Sequence, residues 1–248
     1  MNAETALLLG GGRALLLQIA HPMVAAGVAD HSGFPCDPYG RLMNTLDLTL
    51  TVAFGDGGQR RAAAARVADT HRHVTGERAG VPYGALDPDL LRWVHATLVD
   101  TALVTYDRFV RPLGPTARAR YHQEMHRQAR AFGVPDDRLE GTFEDFRRYV
   151  DDLVATLDVS DEARDLARAV LHPPAPPPLR PLVGAAALVT AGLLPARMRD
   201  AFRLPWDGRR ERAFRILAAA VRGVVPLLPD ALRRWPHARD ADRRMRRA

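Results

Sequence analysis

The chain has 248 residues, 47% of them apolar, with a formal net charge of +6 at pH 7; that is enough apolar material for one large domain or two small ones. All 35 basic residues are arginine, which excludes Schiff-base catalysis and a lysine general base. The single cysteine, Cys36, excludes an internal disulfide and a cysteine zinc cluster. Acidic residues are interspersed almost throughout, and only the final DADRRMRRA is a basic run, read as a solvated tail; no nucleic-acid partner is expected.

Near the N-terminus Glu4 stands where a signal peptide would carry cations, and Arg13 splits the apolar run, so the expectation is a cytoplasmic protein without export. The longest stretches free of Arg, Asp and Glu, Ala14 to Ala29 and Pro181 to Ala196, fall short of the ~20 residues of a spanning helix. Each reads as a core helix or a surface-docking one, which leaves a peripheral membrane contact open.

Helical periodicity and alanine, leucine and arginine richness dominate, so the chain reads as an all-α protein. The first helix is RALLLQIAHPMVAAGVADH, Arg13 to His31, an apolar segment with misplaced polar groups; as one helix it puts Leu17, His21 and Val24 on one face. HSGFPCDPYG, His31 to Gly40, is a loop by composition. RLMNTLDLTLTVAFG, Arg41 to Gly55, alternates like a strand in its second half, but helix is favoured because an isolated strand has no partner elsewhere. Gln59 to Thr75 is a helix closed by Gly76, and Gly80 to Tyr83 a turn.

Asp87-Pro88 caps the next helix, which turns Leu91, His95, Leu98 and Ala102 to one side, with His95 inward. Pro115 to Phe132 carries His122 and His126, four apart, a spacing that can hold a metal; their polar neighbours place the pair on the wet face. Thr142 with Asp145 opens another helix in the manner of a capping box, and Ser160 to Leu171 is a further one. HPPAPPPLRP from His172 is a stiff connector inside what is read as a single domain, 1–248. Helices around Leu182 to Ala191 and Gly208 to Gly223 follow.

Inward-leaning histidines on different helices, with no cysteine cluster and few inward carboxylates, suit imidazole-ligated iron or a haem better than zinc. The run Gly10-Gly11-Gly12 lacks the lysine of a phosphate loop, although a helix start with Arg13 is able to take a carboxylate or propionate. There is no GxSxG elbow for a serine hydrolase. Three rival readings stay open. One is a non-haem iron enzyme using His71, His95 and His21 or Asp100; the others are a non-catalytic haem carrier or sensor, and a basic helical interaction protein.

Several stretches together resemble the MpaB-type oxygenases, which share a catalytic domain with the rubber oxygenases called latex clearing proteins. They are RALLLQIAHPMVAAGVADHS from Arg13, the spacing Arg41-x-x-Asn44-Thr45, THRHVTG from Thr70, YGALDPDLLRWVHATLVD from Tyr83 and GLLPARMRDAFRLPW from Gly192. The resemblance implies a helical fold with some globin-like character, a b-type haem buried between helices, and dioxygen-dependent oxidation of a small apolar substrate such as an isoprenoid or unsaturated lipid. It makes His71 the iron ligand, three before Val74 and five before Gly76, with His73 the competitor; roughly 200° of helix separates the two, so only one can face a haem. Arg41 and Thr45 match polar residues that hold a propionate or polarise dioxygen, and Asn44 completes that catalytic set. Rubber-cleaving relatives carry lysine at the Asn44 position, which puts polyisoprene as substrate in doubt. His95 matches a histidine that supports the cofactor without ligating it, and His21 and Arg13 join it as cofactor-binding candidates. Asp30, His31 and Asp47 are the candidates for a proton-abstracting base. Oligomeric state is not legible.

Overall fold

The computed structural model describes residues 1–31 and 38–246, with the side chains of 38–42 outside that description. Cys36 and most of the His31–Gly40 loop therefore lie outside the described residues, as does the side chain of Arg41.

A 3₁₀ turn, Thr5–Gly10, leads into α1 (Gly11–Ala20) and α2 (Pro22–His31). The stretch from Arg13 to His31 is thus two helices instead of one, with an angle of 106° between Thr5–Ala20 and Pro22–His31. Pro22 is the cause: it lacks an N–H and pushes the preceding residue out of helical backbone, and His21 sits at φ −77°, ψ 122°. The shared face of Leu17, His21 and Val24 is lost; Leu17 is fully buried while His21 and Val24 are half-buried. The glycine run has a packing role. A Cβ on Gly12 would stand 2.1 Å from Thr190 Oγ1, and one on Gly10 2.3 Å from Thr105 Oγ1, so bare backbone lets this segment close on its neighbours.

α3 (Pro38–Phe54) and α4 (Gly57–Arg72) pack as a helical hairpin. Helix wins over strand in α3, and α4 opens on a capping box in which Asp56 accepts from Gln59 N while the Gln59 side chain accepts from Asp56 N. The expected helix end at Gly76 and turn at Gly80–Tyr83 are replaced by a two-stranded antiparallel hairpin, β1 (Thr75–Arg78) and β2 (Val81–Gly84), with Thr75 opposite Gly84 and Arg78 opposite Val81. Ala79 and Gly80 both have positive φ, 52° and 77°, the backbone a two-residue hairpin loop demands. A strand was therefore available, with its partner inside the same dozen residues.

α5 (Pro88–Phe109) is the axis of the molecule. Asp87 caps it by accepting from Asp89 N and Leu90 N, Pro88 occupies its first turn, and buried residues run from Leu90 to Phe109. Around it lie α6 (Pro115–Ala131), α7 (Phe143–Thr156) and α8 (Asp161–Leu171), the last two capped by Thr142 and Ser160. After the proline connector come α9 (Arg180–Leu193), α10 (Ala196–Ala201), α11 (Gly208–Val224), α12 (Asp230–Arg233) and α13 (Pro236–Met245). The main core joins Leu16, Leu17 and Ile19 to Trp93, Leu166, Leu171 and Met198, so residues before and after the connector share it. Each buried leucine there contributes about 1.5–3 kcal/mol, and Trp93 Nε1 donates to Leu17 O at 3.2 Å.

Two further expectations change. The basic terminal run is solvated, with Arg243, Arg244 and Arg246 exposed, but it is helical and tethered: α13 packs on α3, Arg244 donates to Phe54 O at 2.5 Å, and His237 Nε2 meets Asp47 Oδ1 at 3.2 Å. The apolar segment Pro181 to Ala196 is divided, with Leu179 and Leu182 exposed at the start of α9 and Val189, Leu193 and Leu194 buried towards its end. No single helix among the described residues is long and apolar enough to cross a membrane; the bent pair around Pro22 passes on length and composition only.

Candidate active site

The α3–α4 hairpin carries the residues singled out at its end remote from the connection. Helices rise about 1.5 Å per residue. Counting from residues 55–56, Arg41 in α3 and His71 in α4 each stand roughly 20–25 Å along their own helix, with Asn44 and Thr45 one turn nearer the connection. Asn44 and Thr45 are exposed, and Thr45 O accepts from Thr49 Oγ1 at 2.7 Å. His71 lies in the last turn of α4, half-buried, with Nδ1 shielded from solvent. His73 is the residue that ends the helix and is exposed. The competition between the two thus has a structural difference behind it: one imidazole leans on the protein and the other faces water.

Beside this end the C-terminus of α2 meets the β-hairpin. Tyr83 crosses Gly76 so closely that a Cβ there would sit 2.6 Å from Tyr83 Oη; Gly76 is needed for this crossing, not to end a helix. Tyr83 Oη donates to Asp30 Oδ2 at 2.6 Å and Arg78 to Asp30 Oδ1 at 2.7 Å. The Tyr83 hydrogen bond first, then Arg78, hold the Asp30 carboxyl below the usual carboxylate range, which makes it a poor base. His31 Nε2 lies 2.9 Å from Thr75 O. A carbonyl only accepts, so Nε2 carries a proton, and in the neutral ring Nδ1 is the nitrogen with the lone pair. Asp47, the third base candidate, is tied to His237.

Arg13 lies in α1 and His95 in α5, while His21 stands at the α1–α2 break. Arg13 is 3% exposed; its Nη2 meets Asp100 Oδ2 at 2.6 Å, Nη1 donates to Thr101 Oγ1 at 2.7 Å and Nε to Leu193 O at 2.8 Å. The anion that Arg13 holds is this chain's own Asp100, not a propionate. Asp100 also takes Arg147, and enclosed between two guanidiniums it is no iron ligand. His21 occupies the α1–α2 break, where its Nδ1 accepts from Met23 N at 3.3 Å and burial lowers its pKa, against the opposing pull of Asp87. No group of three or more His, Cys, Asp or Glu side chains among the described residues is arranged to hold a metal ion, which removes the support for a non-haem site on His21, His71 and His95.

His95 faces a second locus. A cavity of about 10 Å³, room for one water-sized sphere, is lined by Arg92, His95, His122, His126, Glu140 and Phe146 among others, none of them from α3 or α4. Desolvation first, then the neighbouring His126 and His122, push the His95 pKa down to about 3. The reading of the His122–His126 pair as a wet face is corrected: His122 is 2% exposed, its ring against Phe146, and only His126 reaches partly into solvent. Their polar sequence neighbours hid this, since α6 turns only a narrow stripe of Tyr121, His122, Met125, Gln128 and Ala129 inward.

An all-α protein with its candidate donors on a polar hairpin beside the main bundle is the class that fold and site define. Residues 1–223 match the family described as ER-bound oxygenase mpaB/B'/rubber oxygenase, catalytic domain, and the chain belongs to this family of oxygenases. No curated protein and no solved structure matches it.

Proposed function

We propose that this oxygenase uses a b-type haem held by His71 and acts with dioxygen on a small apolar, unsaturated substrate. The observation that carries the reading is the common placement of His71, Arg41, Asn44 and Thr45 at the far end of the α3–α4 hairpin. The donor set fits the group in kind: a half-buried imidazole for iron, an amide and a hydroxyl to donate hydrogen bonds, and an arginine for a propionate. A haem held by His71 would supply redox chemistry for dioxygen-dependent oxidation of a carbon–carbon double bond. Thr45 and Asn44 donate hydrogen bonds where negative charge develops. His31 is the base, because its Nε2–H is anchored on Thr75 O and Nδ1 is left to accept an allylic proton. Asn44 in place of lysine favours a substrate other than polyisoprene.

The test is an absorption spectrum of protein expressed with haem precursor, with total iron measured alongside. A Soret band near one haem per chain that shifts on reduction and carbon monoxide addition is expected. It should be lost or displaced in His71→Ala and unchanged in His73→Ala. Full haem content and an unaltered spectrum in His71→Ala would show the ligand assignment to be wrong, and iron without a Soret band would overturn the haem itself. A non-catalytic carrier would show the spectrum without consuming oxygen in the presence of unsaturated substrates.

A further inference from the structure

The cavity under α6 is independent of the hairpin and has its own chemistry. His122 and His126 stand one turn apart on α6, their Nε2 atoms 3.3 Å apart and their rings nearly perpendicular at 82°. Two nitrogens on one tetrahedral ion with bonds of about 2.0–2.1 Å are about 3.3 Å apart. The pair is therefore already set at the bite of a transition-metal ion. The cavity they line is sized for one water or one ion, and it holds polar atoms with little else to do: His95, 9% exposed, has a buried Nδ1 with no hydrogen-bond partner among the described residues. Across from them Glu140 is 9% exposed and takes Arg92 Nε at 2.8 Å and Nη2 at 2.7 Å, both on Oε1. Glu140 lines the same cavity as the two imidazoles.

We propose that His122 and His126 bind a divalent transition-metal ion of intermediate softness, Zn²⁺ or Cu²⁺, through their two Nε2 atoms. The ion sits in the cavity and solvent reaching it past the half-buried His126 completes its coordination, since among the described residues no group of three or more His, Cys, Asp or Glu side chains is arranged around an ion. Imidazole donors set this preference over Mg²⁺ or Ca²⁺, which take oxygen ligands. Without the ion, the same 3.3 Å approach is an Nε2–H donated from one ring to the other, which is the competing explanation of the geometry.

Zn²⁺ titration of the full chain against a chromophoric chelator separates the two. One equivalent of Zn²⁺ withdrawn from the chelator is expected, weakened at least tenfold in His126→Ala and in His122→Gln, and unchanged in His71→Ala. His126 is only half-buried, so its variant keeps the test valid if the buried His122 position does not tolerate change; circular dichroism confirms folding. No competition by the wild type, or equal competition by wild type and His126→Ala, would leave the pair a hydrogen bond between two imidazoles and overturn the site.

Discussion

α5 and α4 are both well-capped helices of ordinary composition, yet α5 is buried from Leu90 to Phe109 while α4 buries Ala63 alone. Among the described side chains, the hairpin that α4 forms with α3 adds Leu50 and Val52 to the buried set. It is tethered by polar contacts from outside: Gln128 Nε2 to Thr49 O, His237 to Asp47 and Arg244 to Phe54 O. The bundle around α5 carries the apolar burial that stabilises the fold, and the hairpin carries the residues to which the proposed function assigns the chemistry. His71, half-buried, lies on this weakly packed element. A segment with few buried apolar contacts opens at lower cost than the core around it.

The comparison breaks most sharply at the Arg13–Asp100 pair. Asp100→Ala leaves two guanidiniums, one of them fully buried, without their carboxylate, and a loss of about 3–5 kcal/mol is expected, read as a fall in denaturation midpoint. The same change at the hairpin's Asp47 should matter far less, as below.

Acid should act next, and on the bundle before the hairpin. His95 is neutral in the folded protein down to about pH 3, whereas in the unfolded chain it takes a proton below about pH 6.5. The unfolded state therefore binds the extra proton between those values, and stability falls as pH is lowered from 6.5 towards 3, by about 1.4 kcal/mol per pH unit where the difference is complete. His21, His122 and His126, whose pKa values burial also lowers, act in the same direction. Urea unfolding followed across this range should show the decline, and His95→Gln should flatten it; a parallel decline in that variant would place the acid sensitivity elsewhere.

The smallest effect belongs to the tether. Asp47→Ala removes a partly exposed pair with His237, and such pairs contribute under about 1 kcal/mol. Thermal unfolding should shift by no more than a few degrees, while amide exchange in α3 should accelerate relative to α5. Equal acceleration in both would show that the hairpin and bundle open as one unit and erase the distinction.

Much of this was legible in the chain. Asp87-Pro88, Thr142, Ser160 and Asp56-x-x-Gln59 announce helix starts because capping chemistry is local. The stretches quoted from Arg13, Thr70, Tyr83 and Gly192 were enough to point to the family. Other readings failed where a short-range signal met a long-range demand. The Arg13–His31 run looked continuous because periodicity outweighed the proline; the Ala79–Gly80 loop was hidden because its two strands span only four residues each.

By itself the sequence determined the helical class, the absence of lysine and cysteine-cluster chemistry, and the spacing that puts Arg41, Asn44, Thr45 and His71 on consecutive helices. These are properties of composition and of neighbours within a few turns. Only the tertiary structure decided that Arg13 is committed to Asp100, that His31 has a fixed tautomer, and that His122 is inside with His95 and Glu140. Each of those depends on which residue lies opposite after α1 has packed on α5, α2 on β1, and α6 on α5 and α7, and charge, tautomer and burial are set by that opposing group, not by the residue's place in the chain.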